Sequence, residues 1–426
     1  MRLRLHLRPT TRARFLAPTV ALLLGLAAPL PAAEAPRPRH GTKLVVVNDD
    51  GFSAFFSGRY KNAADLRHQV ASYADTSVAV FEWCITSGSR VNFPTPAAEL
   101  ISTGVTDFGR RGDQLAAETL RRLSAEGVDT LSVVAQACRA NGLLCYASMR
   151  MNGDYAASPK DDSLTRQFNS DFWRAHPEFR VRGPKGEDRT KLSYAFPAVR
   201  AFKLALLRDA ATRDIDGINL DFLRHPPFFG FEEPMVAAFR EKHGIDPRPL
   251  PATDARWGPI RAEFMTAFLR DTRTLLDAAG AKHGRRLGLS ARIDHREYAV
   301  LGCDLATWLK EGLLDYLVIG QRTLGGYEFD LTPYVKLARD AGTGCAVLFG
   351  EEGIVSGHDL TAAEDKLIKA GKMAAPQRDS LTLGHYQTRA ARWYAAGADG
   401  IHLFNENNRA VMRALGTVPS PAPPPP

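Results

Sequence analysis

Eight short, almost unbroken apolar runs recur along the chain: Leu44–Val47, Val78–Trp83, Leu143–Ala147, Gly217–Phe222, Leu287–Ala291, Tyr316–Ile319, Cys345–Phe349 and Gly400–Phe404. Runs this short, apolar at nearly every position, suit parallel strands covered on both faces. Between them, apolar residues return every three or four positions over Gln114–Ala140, Val199–Thr212, Ile260–Ala279, Thr361–Lys372 and Tyr386–Ala396, which predicts helices. Eight strands in strict alternation with helices predict an α/β fold of the (β/α)8 TIM-barrel type, closed rather than doubly wound, in one domain.

Two of the runs echo each other. Asp216-Gly217-Ile218-Asn219-Leu220-Asp221 and Asp399-Gly400-Ile401-His402-Leu403-Phe404 share Asp-Gly-Ile-x-Leu, as strands four and eight. The glycine lets each strand start close to its neighbours. Alternation puts Gly217, Asn219 and Asp221 on one face and Ile218, Leu220 and Phe222 on the other. The apolar face is expected to meet the helices, and Asp221 to stand at the barrel mouth. Long excursions follow strands three (Ser148–Phe196), four (His225–Trp257) and six (Gln321–Leu331), all leaving from the end where barrels build their sites.

Charge changes the picture at the N-terminus. Arg2, Arg4, Arg8, Arg12 and Arg14 precede an apolar stretch from Phe15 to Leu30 and small residues at Ala32, Ala33 and Ala35. That order predicts a secretory signal peptide over residues 1–35, hence a secreted or periplasmic protein with no membrane association after cleavage. The segment carries five Arg and one Glu, so +4 of the formal charge of +8 belongs to it. The remainder is too mild for a nucleic-acid partner. The barrel is expected over 36–418, followed by a disordered Pro-rich tail at 419–426. Five cysteines (Cys84, Cys138, Cys145, Cys303 and Cys345) form no CxxC pair. They read as small buried hydrophobes, with Cys138–Cys145 the one conceivable disulfide.

Chemistry is sought among polar residues at strand C-termini. In chain order these are Asn48, Asp49 and Asp50; Glu82 and Trp83; Arg150 and Asn152; Asp221, Arg224 and His225; Arg292 and Asp294; Gln321 and Arg322; Glu351 and Glu352; and His402, Asn405 and Glu406. A ring of carboxylates, arginines and amides suits a polyhydroxylated substrate, and glycosidic cleavage needs two carboxyl groups flanking one bond. Asp221 is the expected nucleophile or stabiliser, kept ionised by Arg224. Glu351 or Glu352 is the expected acid/base, with Asp294 and Glu406 as rivals. Asn219, Arg224, His225, Arg292, Asp294, Arg150, Glu82, Gln321, His402, Asn405, Glu406 and Asp49 are expected to contact substrate. Aromatic platforms are sought at Trp83, Phe93, Tyr194, Phe228, Phe229 and Trp257, with Pro226-Pro227-Phe228-Phe229 as a subsite wall. No metal or cofactor motif stands out.

Ile215 to Pro226, reading IDGINLDFLRHP, resembles the strand-four signature of the glycosyl hydrolase-like 10 group, as do Phe172–Phe179 and the Tyr194–Arg200 stretch. The resemblance implies a barrel acting on oligosaccharide or polysaccharide, with Asp221 as the matching acid. Relatives often carry an acid where this chain has Asn219, which raises the alternative of a barrel that binds glycan without cleaving it. A second, shorter resemblance, Val46-Val47-Asn48-Asp49-Asp50-Gly51 to SurE-type nucleotidases, implies a metal-dependent phosphatase using Asn48, Asp49 and Asp50.

Overall fold

The computed structural model describes residues 36–155, 163–321, 329–352, 354–356, 367, 370–374 and 379–417. The expected leader at 1–35, the tail at 419–426, Arg322 and most of Thr361–Lys372 lie outside the described residues.

Eight parallel strands close a barrel: β1 (Leu44–Asp49), β2 (Val78–Cys84), β3 (Leu144–Arg150), β4 (Gly217–Asp221), β5 (Gly288–Asp294), β6 (Tyr316–Gly320), β7 (Ala346–Glu351) and β8 (Gly400–Phe404). Each pairs with its sequence neighbours, and β8 returns to β1 with Leu44 opposite Gly400. All eight apolar runs are strands. β3 and β5 run three residues past their apolar patterns, because Arg150, Arg292 and Asp294 stay in the ladder opposite Asp221 and Gly320. Polar side chains are tolerated there because they face the open end of the barrel rather than its packed floor.

Outside the ring lie α1 (Ala63–Ala71), α2 (Thr130–Ala140), α3 (Pro197–Ala210), α4 (Trp257–His283), α5 (Leu305–Lys310), α6 (Thr332–Ala341), α7 (Leu383–Ala395) and α8 (Arg409–Ala414). The long helix expected at Gln114–Ala140 is two. The first runs Arg111–Ala125, Gly127 turns out of it at φ +73°, and Asp129 caps α2 by accepting the Ser132 N–H. A left-handed glycine followed by a capping aspartate ends one helix and starts the next.

Strand parity sets two cores. Leu44, Val46, Val80, Tyr146, Tyr316, Val318 and Leu348 fill the barrel interior. The alternate residues, among them Phe81, Trp83, Ile218, Leu220, Phe349 and Leu403, pack outward against the helices. The glycines of the repeated motif serve close approach: a Cβ on Gly400 would strike the Leu44 carbonyl, and one on Gly217 the Tyr146 ring. Among the described residues no helix is long and apolar enough to cross a membrane. All five cysteines are buried free thiols, so Cys138 and Cys145 are not bridged.

Candidate active site

Above the apolar floor the barrel interior turns polar in one layer. Ser148 donates to Asn219 Oδ1 (2.9 Å), whose Nδ2 donates to Ser290 Oγ (2.9 Å). Across the barrel, Glu82 accepts from Asn48 Nδ2 (2.7 Å) and the Tyr316 hydroxyl (2.7 Å), with His402 Nε2 at 3.0 Å. Burial pushes the Glu82 carboxyl up, but His402 and the three hydrogen bonds outweigh it and hold it below its ordinary value. Glu82, His402 and Asn219 are fully buried, so these three expected substrate contacts instead brace the strands from within.

One step nearer the mouth, Arg150, Asp221 and Arg292 stand side by side in register on β3, β4 and β5. Arg292 Nη1 lies 3.4 Å from Asp221 Oδ2, and its other terminal nitrogen donates to Glu352 just past β7. Arg224 donates to the second Glu352 oxygen. The expected Arg224 partner, Asp221, thus has Arg292 as its near cation, with Oδ1 accepting the Leu223 N–H at 3.1 Å. One guanidinium therefore bridges acids from strands four and seven, one terminal nitrogen to each.

Phe404, at the end of β8, lies under this cluster. Its ring centre is 4.4 Å from the Arg224 guanidinium carbon, 5.0 Å from that of Arg292 and 6.0 Å from that of Arg150. Sequence reading missed Phe404 as a site residue, although its parity with His402 already turned it inward. His225 follows at φ +58°, half-buried beside Tyr155. Burial, then Arg150, Lys191 and Arg224, push its imidazole down to about 2, so it is neutral over the working pH range.

Other expected contacts are placed elsewhere. Glu351 has the opposite parity to Glu352: it faces the helix layer, where α7 supplies Arg389 Nη1 at 2.9 and 3.0 Å from its two oxygens. Trp83 is likewise outward, packed on Phe55, Tyr60 and Phe81. Phe93, Tyr194, Phe228, Phe229 and Trp257 are all buried in the same outer core, and Pro226–Phe229 line a separate cavity with Arg261, Glu297 and Leu301. The reason is shared: a side chain on the helix side of a strand, or under an excursion, is covered.

Asp294 accepts the Arg296 and Glu297 N–H groups and closes the turn after β5. Asn405 clips the β8 loop to the β1 loop through Asp50, and Glu406 accepts the Tyr386 hydroxyl at 2.5 Å. Gln321 is buried just past β6. Asn48, Asp49 and Asp50 diverge. Asn48 points inward to Glu82, Asp49 outward to the Tyr60 hydroxyl (2.6 Å), and Asp50 caps Phe52 and Ser53. Among the described residues no group of three or more His, Cys, Asp or Glu is arranged to hold a metal. The nucleotidase resemblance therefore stops at the sequence.

The model of the family described as glycosyl hydrolase-like 10 matches residues 109–322, half of the chain, spanning β3 to β6. The chain belongs to the glycosyl hydrolase-like 10 family. This glycosyl hydrolase-like 10 protein is a glycoside-hydrolase-like barrel. No curated protein sequence matches it. Among solved structures it is similar to a glycoside hydrolase family 18 N-acetylglucosaminidase from Paenibacillus barengoltzii, at 13% identity and TM-score 0.42, over 88% of this chain and 99% of that one. It is also similar to a cell-surface chitinase from Paenibacillus sp. str. FPU-7 (13% identity, TM-score 0.45), covering 89% of this chain but only 43% of that one. A family 18 chitinase from Pseudoalteromonas aurantia follows at 9% identity and TM-score 0.38, over 87% of this chain and 98% of that one.

Proposed function

We propose that the chain is an exported glycoside hydrolase whose cleaving pair is Asp221 and Glu352. The observation that carries the reading is the sharing of Arg292 by these two acids, one from each side of the mouth. Glycosidic cleavage needs two carboxyl groups about one bond, one supplying a proton and one an anion. The contacts suggest which is which. Glu352 is gripped by two guanidinium groups, which suits the anion, as nucleophile or water-activating base. Asp221 has one long contact to Arg292 and suits the proton donor to the leaving oxygen. These roles reverse those expected from sequence, where the strand-four acid was to be the anion. Asn219 weakens the non-cleaving alternative, because its amide is engaged by Ser148 and Ser290 one layer below the mouth.

The test is product release from a broad panel of polysaccharides and oligosaccharides, read by mass spectrometry for the parent protein and Asp221→Ala. An aryl glycoside of the sugar so identified, with an acidic phenol as leaving group, then separates the roles. Asp221→Ala is expected to lose about 10²–10⁴-fold on the glycan, the usual contribution of a general acid, and much less on the aryl glycoside. Glu352→Ala is expected to lose both. Unchanged glycan cleavage by Asp221→Ala overturns the reading.

A further inference from the structure

The third arginine of the mouth is held differently from the other two. Arg224 and Arg292 both donate to Glu352, whereas the Arg150 side chain has no hydrogen-bond or ion-pair partner among the described residues, and its Nε is buried. The Phe404 ring centre lies 6.0 Å from its guanidinium carbon. Burial works against this cation and nearby acids more than offset it, yet none of them reaches its side chain with a hydrogen bond among the described residues. The acids whose charge Arg150 feels are Asp50 and Asp221. Asp50 has both oxygens occupied, by the Phe52 and Ser53 N–H groups, the Ser53 hydroxyl and Asn405 Nδ2. Asp221 is engaged by Leu223 and Arg292. His225, in the loop after β4, on which Arg150, Lys191 and Arg224 all act, is neutral and adds no negative charge.

From this geometry we infer that Arg150 is a specificity-determining residue that receives an oxyanion on the substrate, so that the glycan taken at this mouth is acidic. A carboxylate or sulfate ester is the shared chemistry, since both present paired oxygens to a planar guanidinium fork. Arg150 stands one strand from Asp221, directly in register with it, so the acidic sugar would lie next to the bond being cleaved. The inference rests on the glycan-cleaving reading for its substrate, and it is tested by binding rather than turnover.

The experiment uses the Asp221→Asn protein on an array of oligosaccharides in which each backbone is presented in neutral, carboxylated and sulfated form. Acidic members are expected to be captured about tenfold more strongly than their neutral counterparts at low salt, with the preference falling as salt rises. Arg150→Gln is expected to erase the preference and Arg150→Lys to restore part of it, both with the parent's melting temperature. Carboxylated and sulfated members read separately show which oxyanion is taken. Equal capture of neutral and acidic members, acidic capture indifferent to Arg150, or no capture at all overturns the inference. A protein that binds acidic glycans through Arg150 yet cleaves none sinks only the hydrolase reading. One that cleaves neutral glycans and ignores acidic ones sinks only this inference.

Discussion

Glu351 and Glu352 are adjacent in sequence and occupy different worlds. Glu351 is fully buried against the helix layer on Arg389, and Glu352 closes the mouth on Arg224 and Arg292. Glu351→Gln is therefore expected to lower stability, by on the order of 2–4 kcal/mol for a buried pair broken on one side, while leaving turnover per folded molecule unchanged. Thermal melting and active-site-normalised kinetics separate the two effects. Asp49 makes a second prediction at this scale. Burial and then the charge of Asp50 raise its carboxyl to about 6, against the lowering donors Tyr60 and Gly51. A carboxyl raised by folding stabilises fully below its unfolded value of 3.8, and that stability is lost as pH rises through about 6. Asp49→Asn should accordingly melt higher than the parent at pH 8 and show no advantage at pH 4. The opposite ordering would mean that Tyr60 and Gly51 outweigh burial.

At the scale of elements, the polar layer inside the ring ties strands across the barrel as well as neighbours. Glu82 of β2 reaches Tyr316 of β6 and His402 of β8, and Asn219 ties β4 to β3 and β5. Glu82→Leu strands three donors in a buried interior and is expected to cost about 3–5 kcal/mol. Glu82→Gln keeps an acceptor and should cost less, as denaturant titration would show. The same elements show what the sequence discloses. Apolar runs located every strand of the barrel, because burial on both faces leaves no other composition. They underestimated β3 and β5, since inward arginines at a mouth look like the start of a loop. Parity, applied within the runs and carried two residues past Phe349, would have turned Trp83 and Glu351 outward and Phe404 inward. What no pattern along the chain carries is the contact of Arg292 with both Asp221 and Glu352. That depends on how the strands are staggered around the closed ring.

For the whole molecule, closure is the organising fact. β8 is the last strand, and it pairs with β1 on one side and β7 on the other. A chain ending at Ala398 loses both ladders and exposes two strand edges, so it is expected to aggregate or remain unfolded rather than give a smaller barrel. Circular dichroism and size-exclusion chromatography of that truncation check this. Closure also builds the site, because Glu352 comes within reach of Arg292 only when β7 and β5 stand on the same ring. The measurement that tests the account most directly is the rate of reducing-end release from the cleaved glycan by the parent, Asp221→Asn, Glu352→Gln and Glu351→Gln proteins. At least about 10²-fold loss is expected for Asp221→Asn and Glu352→Gln, with the folded Glu351→Gln protein at the parent rate. Parent-like release by either of the first two, or a loss confined to Glu351→Gln, would contradict it.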